Sequence, residues 1–93
     1  MSIVIVGGND CMASRYGQLC KQHNCKVKVF TQPQGIRDKI GSPDLLVFIT
    51  NTVSHKMVQA AQAALPSRAT PQIVHCRSSS MSALKKVLDE YAS

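Results

Sequence analysis

The sequence predicts an α/β domain: a small doubly wound, flavodoxin-like or Rossmann-like parallel sheet of about four strands, order 2-1-3-4, with helices on both faces. Two observations predict it. Short β-branched and apolar runs alternate with segments whose apolar residues recur at helical spacing, and that alternation calls for parallel strands joined by right-handed crossovers. The chain has 93 residues, 44% of them apolar and 17% charged. It is too apolar for disorder, and its length suits one core and not two. The expected unit is a single α/β domain over 1–93.

The elements follow in order. Ser2-Ile3-Val4-Ile5-Val6 is a β-branched first strand ended by Gly7-Gly8. Met12, Tyr16, Leu19, Cys20 and His23 then share one helical stripe. Lys26-Val27-Lys28-Val29-Phe30 alternates with period two, as an edge strand with one wetter face would. Gln32 to Gly41 holds one short turn of helix, with Ile36 and Ile40 inward and Gly41 closing it. Asp44-Leu45-Leu46-Val47-Phe48-Ile49 is apolar on both faces and belongs in the middle of the sheet. Met57, Ala60, Ala61 and Ala64 form a second stripe, stopped by Pro66. Gln72-Ile73-Val74-His75 is a shorter fourth strand, and Met81, Leu84, Leu88 and Tyr91 mark the last helix.

Eleven Lys and Arg against five Asp and Glu give a net charge of +6, which favours an anionic partner. The basic residues are scattered, with no run longer than Lys85-Lys86, and the only aromatics are Tyr16, Phe30, Phe48 and Tyr91. That pattern argues against a stacking platform for nucleic acid. No apolar stretch nears the roughly 20 residues of a membrane span. Met1 leads into the first strand with no basic n-region or cleavage site, so the expectation is a cytoplasmic domain without a membrane partner. Cys11, Cys20, Cys25 and Cys76 then read as reduced thiols, most of them small buried hydrophobes.

In a sheet of this kind ligands bind beyond the carboxyl ends of the strands, where helix N-termini converge. Gly7, Gly8, Asn9 and Asp10 follow the first strand; Thr50 to His55 follow the third; Cys76, Arg77, Ser78, Ser79 and Ser80 follow the fourth. Gly7-Gly8 either turns the chain or lets a ligand approach the backbone, and neither G-x-G-x-x-G nor a Walker A loop is present. Arg77-Ser78-Ser79-Ser80 suits an anion, its guanidinium and hydroxyls ringing the oxygens, although any one serine is more often a plain helix cap. Cys76 beside Arg77 is either a reactive thiol or a packed one. A tyrosine-phosphatase loop is excluded, because its arginine would fall at Ser82. Cys20, His23 and Cys25 are soft donors within six residues. A helix from Cys11 to Cys20 would hold a fourth thiol roughly 13 Å away, too far for one tetrahedral zinc. His55 falls on the first turn of a helix, with Ser54 or Thr52 as its cap. A helix N-terminus disfavours the imidazolium and leaves a lone pair for a metal; the alternative is an ordinary surface histidine.

Three short motifs occur in register: Ile-Val-Ile-Val-Gly-Gly at 3–8, Thr-Val-Ser-His-Lys-Met at 52–57 and Arg-Ser-Ser-Ser at 77–80. Together they resemble a bacterial family known as domain of unknown function 2325, over essentially the whole chain. The resemblance implies a non-covalent haem b protein that binds or senses a diatomic gas such as O2, or handles haem. It implies His55, in Val53-Ser54-His55, as the axial ligand to iron. Arg77, Ser78 and Ser79 would hold the propionates, beside Gly7, Gly8, Asn9, Thr52 and Val53. His75 and Cys76 stay open as a second axial ligand. Covalent haem is excluded, because no C-x-x-C-H is present. A domain this small hardly encloses a large planar ligand, so a homodimer or higher homo-oligomer is expected, with Val53, Met57 and Ala60 in the contact. No acid/base pair suggests an enzyme. The competing expectation is a regulatory module that binds a nucleotide or other phosphorylated ligand at the same rim.

Overall fold

A computed structural model of the chain describes residues 1–8, 10–32, 35–51, 53–65 and 71–91. Four strands, β1 (Ser2–Val6), β2 (Lys26–Phe30), β3 (Leu45–Ile49) and β4 (Gln72–Cys76), alternate with four helices, α1 (Asp10–Gln22), α2 (Ile36–Lys39), α3 (His55–Ala64) and α4 (Met81–Tyr91). The sheet is parallel throughout, in the order β2-β1-β3-β4. The sequence expectation of a doubly wound sheet with β1 and β3 at its centre therefore holds.

The reason lies in how the strands are filled. All five residues of β3 are buried, Leu45 to Ile49 without exception. A strand apolar on both faces is stable only with layers on either side, and each such side chain contributes about 1.5–3 kcal/mol by leaving water. Alternate residues feed two cores. Ile3, Ile5, Leu45, Val47 and Ile49 join Tyr16 and Cys20 of α1 and Leu84 and Leu88 of α4. Val4, Val6, Leu46 and Phe48 join Ile36 and Ile40 beside α2, and Met57 and Ala61 of α3. Helices α1 and α4 therefore cover one face, α2 and α3 the other.

β2 is an edge strand with Lys26 and Lys28 exposed, as its period-two pattern predicts. α2 is one turn long; Ile40 closes it by donating to the Ile36 carbonyl at 3.0 Å, and Gly41 follows at φ 63°. At the amino edge of the sheet, Asp44 accepts from the Ser2 N–H at 2.8 Å and its own N–H returns a bond to the Ser2 carbonyl.

Two expectations need correction. Met57, proposed as part of a contact between subunits, is only 4% exposed, because α3 turns it into the core against Phe48 and Leu46. Val53 and Ala60 pack against that same core and are half-buried. Tyr91 lies on the apolar stripe of α4 yet is exposed, as the last residue of that helix.

Candidate functional site

The carboxyl ends of β1, β3 and β4 are tied into one rim. β1 leaves the sheet through Gly7 at φ 112° and Gly8 at φ 83°. The Gly7 N–H still bonds the Phe30 carbonyl at 2.8 Å, one rung past the end of β1. A Cβ on Gly7 would lie 3.0 Å from Ile49 and 3.2 Å from Val53, so only a bare backbone passes beneath the β3–α3 loop. A Cβ on Gly8 would lie 2.8 Å from the Tyr16 ring. Tyr16 in turn donates its phenol to the Ser79 carbonyl at 2.6 Å. Thr50 bonds the Cys76 carbonyl twice, by its N–H at 2.8 Å and its hydroxyl at 3.2 Å. Gly7 thus lies against Val53, while Gly8 and Ser79 both meet Tyr16. Asn9 and Thr52 lie outside the described residues.

Tyr16 and Thr50 organise this rim; the sequence offers Thr50 only as one of the polar residues that follow the third strand. Tyr16 reads there only as one apolar residue on the stripe of α1. Its hydroxyl could point to the rim only once α1 and α4 were packed side by side.

On the β4–α4 loop the serines act first on the backbone. Ser80 is the N-cap of α4: its Oγ accepts from the Ala83 N–H at 3.2 Å and its carbonyl from Leu84 at 3.3 Å. Ser78 Oγ accepts from the Ser80 N–H at 3.2 Å. Each hydroxyl keeps its own hydrogen to donate outward. Arg77 and Ser78 are exposed, so the cluster can still meet an anion. Cys76 is only 6% exposed and donates its thiol to the Ser78 carbonyl at 3.1 Å. It sits in the α1/α4 core, which is the packed reading of this thiol.

Ser54 caps α3, its Oγ accepting from the Met57 N–H at 3.2 Å. His55 is therefore the first helical residue, and it is exposed. Its Nε2 lies 3.0 Å from the Gln59 side-chain nitrogen, one turn along. An amide nitrogen can only donate, so this pairing leaves the lone pair on His55 Nε2 and the proton on Nδ1. His75 is exposed on β4 and stacks on Phe48, with ring centroids 5.6 Å apart and planes at 22°. Phe48 belongs to the α2/α3 core, so His75 lies on the same face of the sheet as α3, whereas Cys76 points to the other.

No group of three or more His, Cys, Asp or Glu among the described residues is gathered to hold a metal. The Cys20–His23–Cys25 set does not close on one point: His23 Nε2 stands 3.9 Å from Asp89 of α4 instead. An open groove of about 640 Å³ runs along β2 and α2, lined by Lys28, Val29, Phe30, Asp38 and Lys39. Lys28 Nζ crosses it to the Lys39 carbonyl at 2.7 Å. Phe30, whose carbonyl takes the Gly7 N–H, links this groove to the rim.

The fold and the rim together define a small doubly wound α/β domain whose carboxyl edge carries a histidine on a capped helix and an arginine-serine turn. The chain belongs to the bacterial family DUF2325, described as an uncharacterized protein conserved in bacteria, whose model matches residues 2–91. No curated protein matches the chain, and no solved structure does.

Proposed function

We propose that this domain binds haem b at the carboxyl rim with His55 as axial ligand to iron, and that it serves in binding or sensing O2 or another diatomic gas, or in the handling of haem. The observation that carries the reading is His55 itself. It is an exposed imidazole on a capped first turn, and its Nε2 lone pair faces the neutral amide of Gln59. Iron commonly takes such an imidazole, and here it would replace one weak side-chain bond. Arg77, Ser78 and Ser79 would take the propionates, with the +6 chain favouring a dianionic group. Of the two candidates for a second axial position, His75 is exposed on the α3 side of the sheet, while the Cys76 thiol is buried and bonded. When bound, haem would supply an iron centre for a gas ligand.

The donor set fits this group; the walls fit it only in part. Tyr16 and Phe48 are buried in the cores, so neither ring is free to wall a porphyrin. A second copy is proposed to supply apolar wall.

Titration with hemin tests the reading. A Soret band should form with the native chain and change in His55→Ala, while Gln59→Ala should keep it. Sedimentation of the loaded protein should show two copies or more. An unchanged band in His55→Ala would remove the ligand assignment, and the absence of any band would remove haem.

A second reading, a nucleotide or other phosphorylated ligand at Gly7-Gly8 and Arg77 to Ser80, is favoured by one observation. Arg77 and the exposed Ser78 flank the capped start of α4, where N–H groups point outward. It predicts thermal stabilisation by phosphate compounds that is lost in Arg77→Ala, with no response to hemin.

A further inference from the structure

Two thiols meet where α1 turns into β2. The helix closes at Asn24, which takes φ 59°. The Cys25 N–H returns to the Cys20 carbonyl at 3.0 Å, and the Asn24 N–H to the Lys21 carbonyl at 2.9 Å. This nested pair of bonds is a Schellman close, and the side chains at its first and last positions habitually touch. In most helices that contact is between hydrophobes. Here both positions are cysteine, Cys20 fully buried and Cys25 6% exposed, in one core cluster.

We propose that Cys20 and Cys25 are a dithiol–disulfide couple, a covalent modification site that staples the end of α1 to the start of β2. The backbone bond between them holds their Cα atoms at about the 4.4–6.8 Å that a disulfide spans. Both are free thiols in this structure. The Cys25 thiol donates to the His23 carbonyl at 3.3 Å, and so faces the turn. The two thiols sense each other electrically: burial first, then the neighbouring Cys25, pushes the Cys20 thiol up to about 11.

The oxidant is a low-molecular-weight disulfide, RSSR. Cys25, the thiol nearer solvent, loses its proton and attacks one sulfur of RSSR, forming Cys25–S–SR and releasing RS⁻, which takes up that proton as RSH. Cys20 then loses its proton and attacks Cys25 Sγ. The Cys25–SR bond breaks, the protein disulfide forms, and a second RSH departs. Two electrons and two thiol hydrogens have passed to RSSR. Because burial makes Cys20 a reluctant thiolate, the step is slow, and the disulfide once made resists reversal.

The test is equilibration of the native chain in buffers of reduced and oxidised glutathione, followed by acid quench, alkylation and tryptic mass mapping. The expected product is residues 16–21 joined to residues 22–26, with two hydrogens lost and no glutathione retained on either peptide. In denaturing urea at the same glutathione ratio, the joined fraction relative to free thiol should fall by roughly tenfold or more, because the turn that pairs them is gone. Cys20→Ser should stop at glutathione on Cys25. The proposal is overturned if both thiols stay alkylatable while Cys11 alone takes up glutathione, or if urea leaves the joined fraction unchanged.

Discussion

Gly8 shows how one residue holds the rim together. At φ 83° an L side chain is strained whatever the space, and here the space is also taken: a Cβ would meet the Tyr16 ring at 2.8 Å. The ring cannot step aside cheaply, because its hydroxyl is bonded to Ser79 at 2.6 Å. Gly8→Ala is therefore expected to destabilise the fold by about 1–3 kcal/mol, the range for backbone strain combined with overpacking. Urea unfolding followed by far-ultraviolet circular dichroism would measure it, and a midpoint equal to that of the native chain would contradict this account of the turn.

At the scale of elements, two of the helices that start at the rim, α3 and α4, are begun by serine hydroxyls. Ser54 begins α3 and Ser80 begins α4, each accepting an N–H that would otherwise be unpaired. Ser80→Ala is expected to cost about 1 kcal/mol of stability. Ser80 also ends the loop that carries Arg77 and Ser78, so the same variant should loosen that loop. Amide exchange at Ala83 and Leu84 should then quicken more than exchange in β3, and equal quickening in both would show that the cap does not act locally. The strands differ in kind: β3 is sealed on both faces, while β2 keeps Lys26 and Lys28 in water. That contrast is why β3 can anchor both cores and β2 can only border one end of the sheet.

At the scale of the whole molecule, the α1/α4 core sets the response to alkaline pH. Burial, with Cys25 beside it, raises the Cys20 thiol from 9.0 to about 11. Burial, and then Cys76 and Cys11, also raises the Tyr16 phenol above its usual value of 10.0. A group whose folded value is raised holds its proton more tightly in the native state. Its contribution is complete below the unfolded value and is lost as pH climbs through the folded one. These two groups should therefore leave stability unchanged up to about pH 9 and lower it from there towards pH 11, with Cys20 accounting for about 2–3 kcal/mol of the loss. Measured under reducing conditions, Cys20→Ala should flatten that fall even though it starts from a lower stability. A parallel fall in the variant would place the alkaline loss elsewhere.

Much of this was legible in the residues themselves. The two-sided apolar run at Leu45 to Ile49, the alternation at Lys26 to Phe30 and the helical stripes specify strand order and layering, because periodicity reflects which face each side chain must bury. Ser54 before His55 and Ser80 before Met81 likewise announce their helices through local hydrogen bonding. What tertiary packing decided is where side chains from distant segments meet. Only the packing of α1 against α4 brings the Tyr16 hydroxyl to Ser79, and only the close of α1 at Asn24 sets Cys20 against Cys25. The fate of Met57 followed the same logic: its place on the apolar stripe was plain, but whether that stripe faced a second chain or the sheet depended on how α3 docks over Phe48. Sequence carries the period of burial; the partner across the interface is a property of three-dimensional contact, which no spacing along the chain encodes.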